Sequence, residues 1–127
     1  MEKKPRILVV DDDPDEIELI KLALEGEGYE ILVAYNGKEG VERAKKDRPR
    51  AIILDIMMPV KDGFVACKEL KADPELKKIP VLVLTAIGDK LTQSNYALSQ
   101  GLDLESEDYI AKPVDPEVLR NRLKELL

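Results

Sequence analysis

The 127-residue chain contains no histidine and a single cysteine, Cys67. Without histidine there is no imidazole general base, no Ser-His or Cys-His nucleophile pair, and none of the usual nitrogen ligands for transition metals. One cysteine excludes an internal disulfide framework and a cysteine-based zinc site, a usage that fits a reducing compartment. No apolar run approaches the ~18 residues that a membrane-spanning helix needs, and the opening "MEKKPR" lacks the hydrophobic stretch of a signal peptide. Neither G-x-G-x-x-G nor a P-loop is present, which sets nucleotide-binding domains aside. A net charge of −6 without a clustered run of Lys and Arg argues against a nucleic-acid or anionic-membrane surface. The expectation from these absences is a cytoplasmic protein that binds no nucleic acid through this domain and no membrane.

What the chain does have is alternation. With 44% hydrophobic residues it can build one core, and a single domain over residues 1–127 is expected. Short apolar runs, "RILVV", "YEILVAY", "AIILD", "IPVLVLTA" and "DYIAK", alternate with segments of helical period. In the first of these segments Ile17, Ile20, Ala23 and Leu24 form one stripe, and Gly26 and Gly28 close it. "GKEGVERAKKD" turns Val41 and Ala44 inward, a third helix runs from Gly63 to about Ala72, a fourth from about Asp89 to Gln100, and "DPEVLRNRLKELL" forms the last with Leu119, Leu123 and Leu126 on one face. Five strand-helix repeats imply an α/β fold around a parallel sheet with helices on both faces. "ILVV", "AIIL" and "VLVL" are continuously apolar, as strands covered on both sides are.

In open parallel sheets ligands bind beyond the carboxyl ends of the strands. Asp11 and Asp12 follow the first strand, Asp55 ends the third, Thr85 the fourth and Lys112 the fifth, so all five project from one rim. If the first and third strands are neighbours, three carboxylates converge, and like charges so close call for a cation. An oxygen-only ligand set with room for water and phosphate favours Mg²⁺ over Ca²⁺, with Lys112 as a second fixed positive charge. Structural roles account for other residues: Asp13 before Pro14 is a helix cap, Cys67 is core packing, Met57 and Met58 pack beside the rim, and "KDG" marks a turn.

The acid pair in "ILVVDD", the central Asp in "AIILDIMMPVKDG", the hydroxyl in "VLVLTA" and the lysine in "DYIAKPV" together resemble the receiver domain of two-component response regulators, of the chemotaxis-receiver kind, over essentially the whole chain. The resemblance implies a flavodoxin-like (βα)5 three-layer sandwich whose doubly wound, five-stranded parallel sheet has the order 2-1-3-4-5. It implies that Asp55 is the phosphoacceptor for a phosphohistidine carried by a partner histidine kinase or histidine phosphotransfer protein. Asp12 and Asp55 would ligate Mg²⁺ directly, with Mn²⁺ as the alternative ion, Asp11 through water, and the backbone carbonyl of Met57 would complete the protein ligands. Lys112 would pair with the phosphoryl oxygens, Thr85 would hydrogen-bond one of them, and Tyr109 occupies the aromatic switch position. The implied activity is that of a signalling domain that assists its own phosphorylation and dephosphorylation and then acts on a downstream protein target.

The chain departs from the family pattern in "QGLDLESEDYI", which is longer than the usual connection there and carries Asp103, Glu105, Glu107 and Asp108, and in the apolar Met57 and Ile87 two residues beyond Asp55 and Thr85. Two rival functions follow from the same residues. Asp11 and Asp13 also spell the Asp-x-Asp of haloacid-dehalogenase-type phosphatases, a reading that leaves Asp55 without a role. A constitutive scaffold of receiver shape is the other, although such scaffolds usually lack an acid or the lysine.

Overall fold

A computed structural model describes residues 4–55, 62–86, 108–112 and 114–127, with the description confined to the backbone at residues 62–64, 85, 86, 108, 109, 111 and 112. Strands β1 (Arg6–Val10), β2 (Glu30–Ala34), β3 (Ala51–Asp55), β4 (Val81–Ala86) and β5 (Asp108–Lys112) are accompanied by helices α1 (Pro14–Leu24), α2 (Gly37–Asp47), α3 (Asp62–Ala72) and α4 (Pro116–Leu126). All described pairings are parallel. β1 lies between β2 and β3, β4 lies against β3, and β5 pairs along β4 from Leu82↔Asp108 to Ala86↔Lys112. The expected doubly wound α/β architecture is therefore present; the helix expected over residues 89–100 and the acidic stretch 102–107 lie outside the described residues.

Side-chain alternation along the strands explains why helices occupy both faces. Leu8, Val10, Ile52, Leu54, Val81 and Val83 point to one side, where α2 supplies Val41 and Ala44 and α3 supplies Ala66, Cys67 and Leu70. Ile7, Val9, Ile53, Leu82 and Leu84 point to the other, against Ile17, Ile20 and Leu24 of α1 and Leu119 and Leu123 of α4. The expected stripes of α1 and α2 are buried, as are Leu119 and Leu123 of α4, with Leu126 partly so, and Cys67 lies in the core; each fully buried Leu or Ile contributes about 1.5–3 kcal/mol. β2, at the sheet edge, is the exception that fits: its residues alternate between buried and partly exposed.

Local chemistry sets the helix limits. Asp13 caps α1 by accepting a hydrogen bond from the Asp15 N–H (2.9 Å), with Pro14 at the first helical position. Asn36 caps α2, its side-chain oxygen accepting from the Glu39 N–H at 2.8 Å, while a Glu39 carboxylate oxygen takes the Tyr35 N–H at 3.1 Å. α2 ends where Arg48 adopts a left-handed φ of 48° immediately before the buried Pro49. Asp115 repeats the cap at α4, again with proline following.

The connection from α3 to β4 is held by a buried lysine. Lys71 is 9% exposed, and its Nζ donates to the carbonyls of Lys77 (3.1 Å) and Ile79 (3.0 Å). Leu76 is buried beneath the same turn, which is closed by Asp73 accepting the backbone N–H groups of Leu76 and Lys77. Hydrogen bonds to a charged donor are worth more than neutral ones, and removing that donor strands its acceptors. Lys71→Met, which keeps the volume and deletes the ammonium, is expected to cost about 2–3 kcal/mol in unfolding free energy; urea denaturation is the check, and an unchanged midpoint would contradict the clamp.

Candidate functional site

Register decides where the acids go. Val10 faces Leu54 across the β1–β3 pairing, so the residues that follow, Asp11 on one strand and Asp55 on the other, leave the sheet side by side. Asp11 continues the ladder for one more step through its N–H to Ala34 O (3.0 Å), which fixes its backbone beside β2 as well. The chain then turns into α1. The Asp13 N–H donates to Asp11 Oδ1 at 2.9 Å, orienting that carboxylate at the helix start.

Asp11, Asp12 and Asp55 each place a carboxylate oxygen within 4.8 Å of the others. Asp11 is fully buried, Asp55 is 3% exposed and Asp12 is exposed to solvent. Two oxygens bound to one hard cation at about 2.0–2.6 Å each are at most about 4–5 Å apart, so the spacing is that of a cluster able to share one ion. The absence of nitrogen and sulfur donors matches the same class of ion. Three carboxylates at this distance repel one another, and two of them do so away from bulk water, where screening is weak. A cation held by the three carboxylates would offset that repulsion.

The remaining expected residues divide according to what is described. The backbones of Thr85 and Lys112 stand at the carboxyl ends of β4 and β5, Thr85 opposite Ala111 and Lys112 opposite Ala86. Asp55 faces Leu84, one residue before Thr85, so these chain positions lie along the rim that the acids occupy. Tyr109 sits lower in β5, opposite Val83. Their side chains, and the whole of Met57, lie outside the description. Asp13 is not among the clustered acids; its carboxylate is engaged as the α1 cap. That division disfavours the Asp-x-Asp phosphatase alternative, which needs Asp13 as a participant and Asp55 as a bystander.

Comparison with known proteins adds a family context. Residues 7–124 match the family model for the response regulator receiver domain. Protein PilH of Pseudomonas aeruginosa is 38% identical over 122 residues, a match that covers 96% of this chain and 97% of PilH. The DNA-binding dual master transcriptional regulator RpaA of Synechocystis is 40% identical over 126 residues, covering 97% of this chain but 49% of RpaA, so the chain spans about half the length of that relative. Among solved structures, the receiver domain of the sensor histidine kinase PA1611 from Pseudomonas aeruginosa PAO1, which has a magnesium ion coordinated in its active site cleft, aligns with a TM-score of 0.82 at 28% identity over 97% of both chains.

The separate duties of the neighbouring acids are testable by substitution. Asp12→Ala is expected to weaken divalent-cation binding by more than about tenfold, since even outer-shell partners of a metal site contribute that much. Asp13→Ala is expected to leave the affinity in place and to lower stability by about 1 kcal/mol through loss of the cap. Calorimetric Mg²⁺ titration and thermal unfolding of both variants check the pair; a reversal of the two effects would overturn the assignment.

Proposed function

The chain belongs to the response regulator receiver domain family of two-component signalling, and on that premise we propose that Asp55 accepts a phosphoryl group from a phosphohistidine on a partner kinase or phosphotransfer protein. The observation that carries this reading is the convergence of Asp11, Asp12 and Asp55 at the ends of two adjacent strands.

The donor set suits Mg²⁺, with Mn²⁺ as the alternative: Asp12 and Asp55 as direct ligands, Asp11 through water, and the Met57 carbonyl as a further oxygen. When bound, the ion supplies positive charge against the transferring group and the three acids. The work of this chain's own residues is positional. An Asp55 carboxylate oxygen attacks phosphorus in line, the new P–O bond forms as the P–N bond to the donor imidazole breaks, and the leaving imidazole keeps the bonding pair. Because a carboxylate is already the nucleophile, no general base is required, which suits a chain without histidine. Little covalent chemistry is asked of the protein, so alignment and neutralisation dominate. Lys112 provides the second cationic group for the phosphoryl oxygens, and the Thr85 hydroxyl donates to one of them after transfer.

The complete fold on this reading is the (βα)5 sandwich with the 2-1-3-4-5 sheet, and the whole of residues 1–127 is the receiver domain. The same chemistry would serve a protein of PilH's length or one part of a longer protein such as RpaA. A downstream protein target completes the signalling role, and the cytoplasm is the proposed compartment. No described helix is long and apolar enough to cross a membrane.

Incubation with Mg²⁺ and a small acyl phosphate is expected to add one phosphoryl group per chain, seen by intact mass, and Asp55→Asn is expected to abolish it. Full-rate labelling of Asp55→Asn would defeat the proposal.

The phosphate then acts as a switch. It adds roughly two negative charges and strong acceptor oxygens beside Thr85 and Lys112, and movement of the hydroxyl toward it leaves room for Tyr109 to turn inward. A preference of a few kcal/mol between two packings suffices to shift the population. A beryllofluoride mimic is expected to change NMR shifts at Thr85, Tyr109 and across α4, and Thr85→Ala is expected to uncouple Tyr109 and α4 while Asp55 still accepts phosphate. Changes confined to the acids would rule this switch out.

A further inference from the structure

At the opposite end of the sheet from the acids, the fold gathers cations that are dispersed in the sequence over residues 4–6, 43–50 and 77–78. Backbone hydrogen bonds stitch the three segments together. Arg50 N–H donates to Arg6 O (2.8 Å), Glu30 N–H to Pro5 O (2.9 Å) and Ile52 N–H to Pro80 O (2.9 Å), and Arg48 of the α2–β3 turn pairs with Glu75 of the α3–β4 turn. Lys4, Lys45, Lys46, Arg50, Lys77 and Lys78 are exposed around this end. Two acids near them, Asp47 and Glu75, are already committed. Asp47 takes Arg43 at 2.6 Å and Arg6 at 3.8 Å, the Arg43 hydrogen bond holding its carboxyl below the usual carboxylate range, and Glu75 is engaged by Arg48. Among the described residues, none of the six exposed cations has a side-chain hydrogen bond or ion pair.

The patch also has a firm base. Lys77 and Lys78 sit on the turn whose carbonyls are held by the nine-tenths-buried Lys71, and Arg50 follows the buried Pro49. A partner therefore meets positive charge in a fixed arrangement, with little backbone entropy left to lose at these turns.

We propose that this basic end of the sheet is a docking surface for an acidic polypeptide segment of a partner protein. It is separate from the phosphoacceptor site and does not depend on that reading. The three segments contain no aromatic residue on which a base could stack, and among the described residues the exposed large hydrophobic side chains that share a groove with a patch cation, Leu22 with Lys4 and Val65 with Lys45, stand singly in separate grooves, which is too little for a membrane-inserting face. Size separates the remaining polyanions. A duplex or a vesicle extends past the patch by more than the ~8 Å screening length and meets exposed Glu25 and Glu30 and a chain of net charge −6, whereas a short acidic segment can lie across the β3–β4 side of this end, at Arg50, Lys77 and Lys78, away from Glu30 on the edge strand β2.

The test uses the full 127-residue chain and a fluorescein-labelled deca-glutamate peptide, read by anisotropy at about 50 mM salt, where surface electrostatics are weakly screened. Saturable binding is expected, weakened more than about tenfold by the double charge reversal Lys77→Glu/Lys78→Glu and separately by Arg50→Glu, and largely lost at about 300 mM salt. Lys38→Glu, at the far end of α2, is expected to leave binding within about twofold of wild type, which separates the patch from net charge. All the positions are exposed, and matching melting temperatures confirm intact folding. Absence of binding at millimolar peptide, equal weakening by Lys38→Glu, or tighter binding to a 20-base-pair duplex or to phosphatidylserine vesicles would each overturn the proposal.

Discussion

A strand that carries apolar side chains on both faces has to be covered on both sides, and that requirement organises this molecule. β1 and β3 are buried at nearly every position, so neither can lie at an edge and neither can leave a face to water. Parallel pairing satisfies their backbones, and right-handed crossovers carry α1 to one side of the sheet and α2 and α3 to the other. The two apolar layers then fix the register, because a slip of one residue would exchange the contents of both. Everything at the rim follows from that register.

The rim is where the fold gives up stability. Asp11 comes directly after four apolar residues and is fully buried, and Asp55 ends a strand that is otherwise wholly apolar. A sequence chosen for stability alone would not bring these two and Asp12 together. Part of the strain is relieved locally: α1 begins at Pro14, and its amino terminus, with unsatisfied N–H groups and the positive end of the helix dipole, stands beside the acids. The Asp13 N–H to Asp11 contact is one such group in use. The clustered oxygens could also be shared by a cation.

Much of this could be read from the residues in order. "GKEGVERAKKD" and "AIILD" name their elements to the residue, since apolar period, cap and stop signal coincide there. The α1 stripe and the Asp13 cap were equally explicit, and α3 begins at Asp62, one residue ahead of the expected Gly63. Other features depended on distant parts of the chain. That Asp11 is buried while adjacent Asp12 is exposed follows from the side of the strand each faces and from the Ala34 carbonyl on β2, neither of which a local pattern contains. Lys71 reads in sequence as an ordinary solvated helix lysine, yet it is buried because two carbonyls of a later turn come to meet it. Arg48 in a left-handed conformation was also hidden, since glycine or asparagine is the usual sign.

The register that brings the acids together also governs when they can meet. Val10 reaches Leu54 across the whole of α1, β2 and α2, so no local turn or hairpin contains the cluster, and the entropy of closing that long stretch of chain must be overcome before it exists. During synthesis Asp11 and Asp12 emerge before Asp55, which joins them only through the pairing of β3 with β1. The mutual repulsion of all three acids is therefore imposed only when β3 pairs with β1, and a state lacking β3 would carry the acid pair without the site.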